Sequence, residues 1–219
     1  MRIGIIGAGN IGGNLTRRLT ALGHDVSVAN SRTPDTLADL AAETGATAVL
    51  ATEAAAGADV VVVTVPLKSV PGLPSGLLDG AAADVVVIDT CNYYPQQRDG
   101  RIAEIEDGMA ESRWVEEQLG VSVGKAFNGI YADHLLTRGL PAGTEGRIAL
   151  PVAGDDADAK AVVMALVDSL GFDPVDGGGL DDSWRQQPGS PVYGSDGDAE
   201  GVRRALAEAT PDRGPDWRA

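Results

Sequence analysis

A short apolar run that turns sharply on glycines and passes straight into a helix leaves few folds open. Residues 3–12 read Ile-Gly-Ile-Ile-Gly-Ala-Gly-Asn-Ile-Gly. The spacing is G-x-G-x-x-G, at Gly7, Gly9 and Gly12, behind the apolar strand Ile3 to Ile6 and ahead of an amphipathic stretch, Asn10 to Leu22. Each glycine has its own task. Gly7 allows the tight turn out of the strand, Gly9 lets the backbone approach a pyrophosphate, and Gly12 lets the helix pack close to the sheet. The helix that starts at Asn10 and Ile11 presents free N–H groups and the positive end of its dipole at the turn. A second strand, Val26 to Ala29, follows. In that context the motif reads as the phosphate-binding turn of a dinucleotide fold rather than as a plain glycine turn.

The end of the second strand bears on which dinucleotide. Folds that prefer NAD place an Asp or Glu about twenty residues beyond the turn on the ribose 2′-OH, and folds that prefer NADP use an Arg for the 2′-phosphate. Here the strand ends in Asn30-Ser31-Arg32, followed by Thr33, with no acid. Ser31 offers a hydroxyl and Arg32 a planar cation suited to phosphate. Arg32 as a merely solvated loop residue is the plain alternative. The missing acid and the Ser-Arg pair both point to NADP(H).

Strands and helices alternate along the rest of the chain. Helix Thr36 to Thr44 starts behind Pro34, and a short strand runs from Ala46 to Val49. Asp59 to Val65 and Asp84 to Asp89 read as buried parallel strands, separated by a segment broken at Pro71 and Pro74. A polar stretch, Thr90 to Gly108, leads to helix Ser112 to Leu119, strand Val121 to Phe127 and helix Ala132 to Thr137. Strand Arg147 to Ala153, helix Ala157 to Leu170 and strand Phe172 to Val175 follow. An irregular segment, Gly177 to Gly197, precedes a last helix, Ala199 to Ala209, and a charged tail expected to fray. The expected fold is α/β: a doubly wound, mostly parallel Rossmann sheet in a single domain with a C-terminal βαβ extension. Residues 1–178 form the dinucleotide-binding domain with its extension strands. Residues 179–219 add an irregular aromatic and Gln-rich segment and a final helix that complete the same domain.

A net charge of −15 argues against nucleic acid or an anionic membrane surface as partner. It also means that an anionic cofactor needs local positive groups. One cysteine, Cys91, excludes an internal disulfide and a multi-cysteine metal site, and no metal site is expected. No apolar run reaches the length of a membrane span, and nothing resembling a leader precedes the first strand, so a cytoplasmic location is expected.

In a sheet of this kind ligands bind outside the carboxyl ends of the strands. That rule nominates Gly7 to Gly12, Asn30 to Arg32, Thr64-Val65-Pro66, Asp89 to Tyr94 and Asn128 to Tyr131. Pro66 stiffens its loop and removes a donor. Asn92 and Asn128 can exchange hydrogen bonds with a nicotinamide carboxamide or ribose, or can satisfy their own turns. Tyr93, Tyr94, Tyr131, Trp184 and Tyr193 line a pocket for a planar ring, or else cover the edge of the core or a dimer interface. His134 and Tyr193 are the candidates for catalysis, His134 as a proton donor beside the nicotinamide or as an ordinary helix residue. His24, in a turn before the second strand, reads as structural. A homodimer is expected.

These motifs together resemble a known family. The GxGNIG start, Ser31-Arg32, Thr64-Val65-Pro66, the D-x-x-N of Asp89 to Asn92, Lys125-Ala126-Phe127-Asn128 and Pro151-Val152-Ala153-Gly154-Asp155-Asp156 are similar to NADPH-dependent oxidoreductases of the deazaflavin type. These include the NADP reductases that use coenzyme F-420. The resemblance covers roughly residues 1–175 and implies NADP at Gly7, Gly9, Asn10, Ile11, Gly12, Ser31 and Arg32, with the nicotinamide near Pro66 and Asn92. It further implies direct hydride transfer between the nicotinamide and a second ring, with little acid–base help from side chains. Where such reductases carry an apolar helical segment, residues 184–193 here read Trp-Arg-Gln-Gln-Pro-Gly-Ser-Pro-Val-Tyr. The acceptor is thus open between deazaflavin, another flavin, and a small carbonyl, imine or enoyl compound. A dinucleotide-binding sensor without turnover is the alternative from another class.

Overall fold

A computed structural model describes residues 1–219. Six parallel strands form the main sheet: β1 (Arg2–Ile6), β2 (Asp25–Ala29), β3 (Thr47–Ala48), β4 (Val60–Val63), β5 (Val86–Asp89) and β6 (Gly124–Lys125). Their spatial order is β3-β2-β1-β4-β5-β6. The helices are α1 (Asn10–Ala21), α2 (Ala38–Thr44), α3 (Ala103–Glu106), α4 (Glu111–Leu119), α5 (Ala132–Thr137), α6 (Ala157–Ser169) and α7 (Ala199–Glu208). Strands β7 (Ala149–Val152) and β8 (Asp173–Asp176) pair in parallel as a second, two-stranded sheet around α6. One antiparallel bridge, Lys125 to Ala153, joins this extension to the edge of the main sheet. The chain therefore has the expected Rossmann-like α/β architecture.

The central strands β1, β4 and β5 are buried on both faces, and their alternation sorts the core into two layers. Ile3, Ile5, Val60, Val62, Val86 and Ile88 belong to the cluster on one face, with Leu15 and Leu19 of α1 and Val163 and Val167 of α6. Ile6, Val61, Val63 and Val87 belong to the other, with Trp114 and Val115 of α4. Each such side chain contributes about 1.5–3 kcal/mol on burial, which holds the helices to the sheet. A third, small cluster seats α7 on β7 and β8 through Val202, Leu206, Ala149 and Val175. No helix is long and apolar enough to cross a membrane.

Several boundaries differ from expectation, each for a local reason. The strand expected over Val121 to Phe127 is reduced to Gly124–Lys125, because Phe127 takes a φ of 60° and turns the chain out of the ladder. The strand expected from Arg147 starts at Ala149, because the buried Arg147 guanidinium bonds Leu140 O, Asp168 and Asp173. The polar stretch after β5 contains a π turn, Pro95–Asp99, and α3, and the 177–197 segment contains a 3-10 helix, Leu180–Gln186. The tail, expected to fray, is anchored at several points. Gln96 Nε2 donates to Pro215 O at 2.9 Å and to Arg218 O at 3.0 Å.

Sequence reading did not single out the charged cluster at the ends of β5 and β6. Lys125, Asp89 and Glu111 are fully buried. Lys125 Nζ donates to Asp89 Oδ2 at 3.1 Å and to Cys91 O, and lies 4.0 Å from Glu111 Oε2. Glu111 also accepts from Arg213 at 2.8 Å and from Tyr93 N at 3.1 Å. Burial pulls the Lys125 ammonium down, but Asp89 and Glu111 outweigh it and hold its pKa above the usual lysine value. Burial pushes the Glu111 carboxyl up, against Lys125 and Arg213. Lys125→Met leaves the buried Asp89 carboxyl without its cation, while Glu111 keeps Arg213, and should lower the unfolding free energy in urea by about 3–5 kcal/mol.

On the surface, Asp155 accepts from Leu180 N at 2.8 Å and from Arg113 at 2.8 Å, tying the extension to the 3-10 helix that follows β8. The Leu180 N–H, then Arg113, hold its carboxyl below the usual value of 3.8. Stability from this contact is therefore present above 3.8 and lost as pH falls through the lowered value. Asp155→Asn should show a shallower loss of melting temperature on acidification below pH 3.8 than the parent protein.

Candidate functional site

The strand order reverses direction between β1 and β4, so the crevice of this sheet opens at their carboxyl ends. Gly7, at the end of β1, has a φ of +111°, and a Cβ there would lie 2.2 Å from Thr64 O. A Cβ on Gly12 would lie 1.8 Å from Gly7 O and 2.7 Å from Thr64 Cγ2. Both glycines are therefore demanded by close packing of turn, helix and β4. Gly9 differs. It is the N-cap of α1, its φ is an ordinary −74°, no side chain caps it, and a Cβ there would meet nothing within 4 Å. The first N–H groups of α1, at Asn10, Ile11 and Gly12, have no carbonyl of the preceding helical turn to bond. Open space over uncapped donors suits a pyrophosphate.

Beside this turn a cavity of about 460 Å³ lies between the ends of β1, β2 and β4. Ile6, Gly7, Asn30, Ser31, Arg32 and Val65 line it, with Leu50, Thr52, Ser69, Leu73 and Pro74. The volume falls in the range of small-molecule sites. Asn30 shapes the rim: its Oδ1 accepts from Arg32 N at 2.8 Å and its Nδ2 donates to Thr36 Oγ1 at 2.9 Å. Ser31 and Arg32 are exposed, and Arg32 enters no ion pair. Sequence reasoning found the polar rim and missed the apolar wall of Leu50, Leu73 and Pro74, which lies in loops without periodicity.

At the other end of the crevice the predicted residues divide. Val65 faces the cavity and Pro66 is exposed at the start of a 3-10 turn, Leu67–Gly72. The Thr64 methyl group supports Gly12 instead of facing a ligand. Asn92 Nδ2 donates to Asn128 O at 2.9 Å and to Tyr193 Oη at 3.3 Å. Asn128 is a correction to the ligand set. It is buried, its Nδ2 donates to Asn92 Oδ1 and Gln186 O, and its Oδ1 accepts from Gln186 Nε2. It braces Asn92 and has no free donor for a cofactor. Tyr93 is a second correction. It is fully buried, with its hydroxyl donating to Glu106 and accepting from Ile102 N, because the chain after β5 folds inward toward Glu111. Trp184 is a third: it lines a separate groove with Arg113, Asp181 and Arg213.

Tyr131, Tyr193 and His134 do come together. Tyr131 is 55% exposed, and its ring meets that of His134 edge-on at 5.2 Å. His134 Nδ1 lies 2.6 Å from Asp196 Oδ2, near enough for charge but off the line of a good hydrogen bond. Tyr193 Oη is hydrogen-bonded to Tyr94 Oη. Burial, then the Tyr94 hydroxyl, push the Tyr193 phenol far above the usual range, so it stays protonated and can serve as a donor but not as a base. Tyr94, which sequence reasoning nominated, and Trp217, which it left out, complete this aromatic group, with Trp217 6.0 Å from Tyr94 and 6.5 Å from Tyr193.

The roles of the glycines separate in a simple test. Gly12→Ala should destabilise the protein by roughly 1–3 kcal/mol or more through overpacking. Gly9→Ala should melt close to the parent, within about 1 kcal/mol. Thermal denaturation of both variants without ligand checks this.

Comparison with known proteins bears on the family and the fold. The family model for "NADP oxidoreductase coenzyme F420-dependent" matches residues 2–93. Protein YjhV of Escherichia coli (strain K12) is 49% identical over 67 residues, 31% of this chain, and the match spans about half (49%) of that relative's length. The crystal structure of hypothetical protein SMa0349 from Sinorhizobium meliloti is 32% identical, with a TM-score of 0.74 over 89% of this chain and 93% of that one. A protein from Arthrobacter sp. FB24, named as a candidate F420-dependent NADP reductase, shares the fold. It is 24% identical, with a TM-score of 0.70 over 82% of this chain and 86% of that one.

Proposed function

For this chain, which belongs to the NADP oxidoreductase coenzyme F420-dependent family, we propose direct hydride transfer between a bound NADP(H) nicotinamide and a flavin-like planar ring, deazaflavin F-420 being the first candidate. The observation that carries the cofactor half is the pairing of an open, uncapped helix N-terminus at Gly9 with an exposed Arg32 at the rim of the adjoining 460 Å³ cavity. The N–H groups of Asn10, Ile11 and Gly12 would hold the pyrophosphate. Leu50, Leu73 and Pro74 would take the adenine, and Ser31 and Arg32 the 2′-phosphate. Asn30 keeps that loop in place. Val65 and Pro66 would form the surface beneath the nicotinamide, and Asn92, braced by Asn128, its polar edge.

The nicotinamide, when bound, supplies the hydride itself. The residues of the chain then align two rings and keep water out. Tyr193 remains a neutral donor near that end, and His134 sits beside Asp196 against the Tyr131 ring. Other flavins and small carbonyl, imine or enoyl compounds remain competing acceptors, and a sensor without turnover is the competing class.

Two measurements test this reading. Arg32→Asp should lower NADPH affinity roughly 10- to 100-fold, the loss of a charge-assisted contact, while changing NADH affinity less than about threefold. Equal effects on both would overturn the choice of NADP(H). NADPH oxidation should occur with F-420 or a flavin in a panel that also contains quinones, ketones and imines. Tight NADPH binding with no oxidation by any acceptor would favour the sensor.

A further inference from the structure

The segment after α7 returns across the molecule to the aromatic group at the acceptor end. Arg213 reaches Glu111 at 2.8 Å and lies over the Tyr93 ring at 5.4 Å. Gln96 bonds Pro215 O and Arg218 O, and Ala219 N donates to Glu106 at 2.9 Å. Between these anchors the Trp217 indole leans on Tyr94 at an interplanar angle of 46° and on Tyr193 at 64°. Neither contact is a parallel stack, and the indole is only half-buried. Gly189 admits the ring: a Cβ there would lie 2.5 Å from indole Cδ1.

This group is wired to the nicotinamide end. Tyr193 Oη accepts from Asn92 Nδ2 at 3.3 Å, and Asn92 follows the carboxyl end of β5. Tyr94, whose ring also carries the Arg98 guanidinium at 5.0 Å, Tyr193 and Trp217 meet at tilted and edge angles, one hydrogen bond away from Asn92, and an aromatic group of this kind suits a flat conjugated ligand. Resting on the hydride-transfer reading above, we infer that Trp217, carried by the 210–219 strap, is the outer wall of the acceptor site and sets its preference for a planar ring over a small acceptor. Gln96 acts through Trp217, as a positioning residue for the strap.

Binding of F-420 and of FMN to the NADP⁺-loaded protein, followed by ligand fluorescence, tests this beside steady-state rates with NADPH. Trp217→Ala should raise Kd and KM for the planar ring about tenfold, the scale of one lost aromatic contact, with a smaller change in kcat. Trp217→Phe should recover to within about threefold, and Gln96→Leu should fall between them. NADPH affinity should stay at the parent value, and KM for a small cyclic imine should change much less than KM for the planar ring. Planar-ring binding that is unchanged or tighter in Trp217→Ala overturns the inference, as does a parent protein that binds neither ring. Failure of the parent to bind NADPH faults the cofactor reading instead, so the two failures are distinct.

Discussion

An ammonium group sealed from water cannot remain charged without partners, and this constraint organises the carboxyl ends of β5 and β6. Lys125 takes those partners from different parts of the chain: Asp89 at the end of β5, the Cys91 carbonyl in the loop beyond it, and Glu111 at the start of α4. Glu111 passes the constraint on to Arg213 in the C-terminal strap. Hydrogen bonds to charged groups contribute about 1.5–3 kcal/mol each, against desolvation of similar or larger size. The net gain in stability is small, but the geometry is fixed, because any slip of one element leaves a buried charge unmatched. Asn92, on the loop tied down by this cluster, is held where Asn128 and Tyr193 can reach it.

The glycine turn imposes a different constraint, one of space. Gly7 and Gly12 sit so close to Thr64 and to each other that no side chain fits, whereas Gly9 looks onto open ground. Their shared motif thus joins two physical roles, packing and access. The surrounding field opposes an anionic ligand, since the chain carries a net charge of −15. Attraction has to come from groups within about a Debye length, where the field of remote carboxylates is screened and local donors act unscreened. The N-terminus of α1 and Arg32 are such groups, and Arg32 enters no ion pair that would neutralise it.

What was legible in the sequence follows from how local each feature is. The turn, the Ser31-Arg32 rim and the strands β1, β4 and β5 are written in consecutive residues, and the structure places them at one crevice. Asn128 and Tyr93 were misassigned because a strand-end position does not say where a side chain turns. Asn128 is claimed by Gln186, far along the chain, and Tyr93 by Glu106 and Glu111. Lys125 carried a signal that was available: one of few lysines, inside an apolar strand, where a charge demands buried partners. Leu50, Leu73 and Trp217 carried none, because their neighbours come from loops brought together only by the fold.

The two ends of the crevice are therefore built by different means. On the proposed reading, the dinucleotide end uses backbone N–H groups and missing side chains, which depend on a short motif and tolerate change elsewhere. The proposed acceptor end uses whole side chains contributed by the loop after β5, the loop before α5, the 184–193 segment and the strap, none of which would hold the site alone. A fold can keep the first while the second drifts, since an altered ring or strap costs little stability so long as the Lys125 cluster is matched. If the proposed reading holds, selectivity would reside in Tyr94, Tyr193 and Trp217, outside the family match over residues 2–93, whereas the cofactor would be chosen within that match.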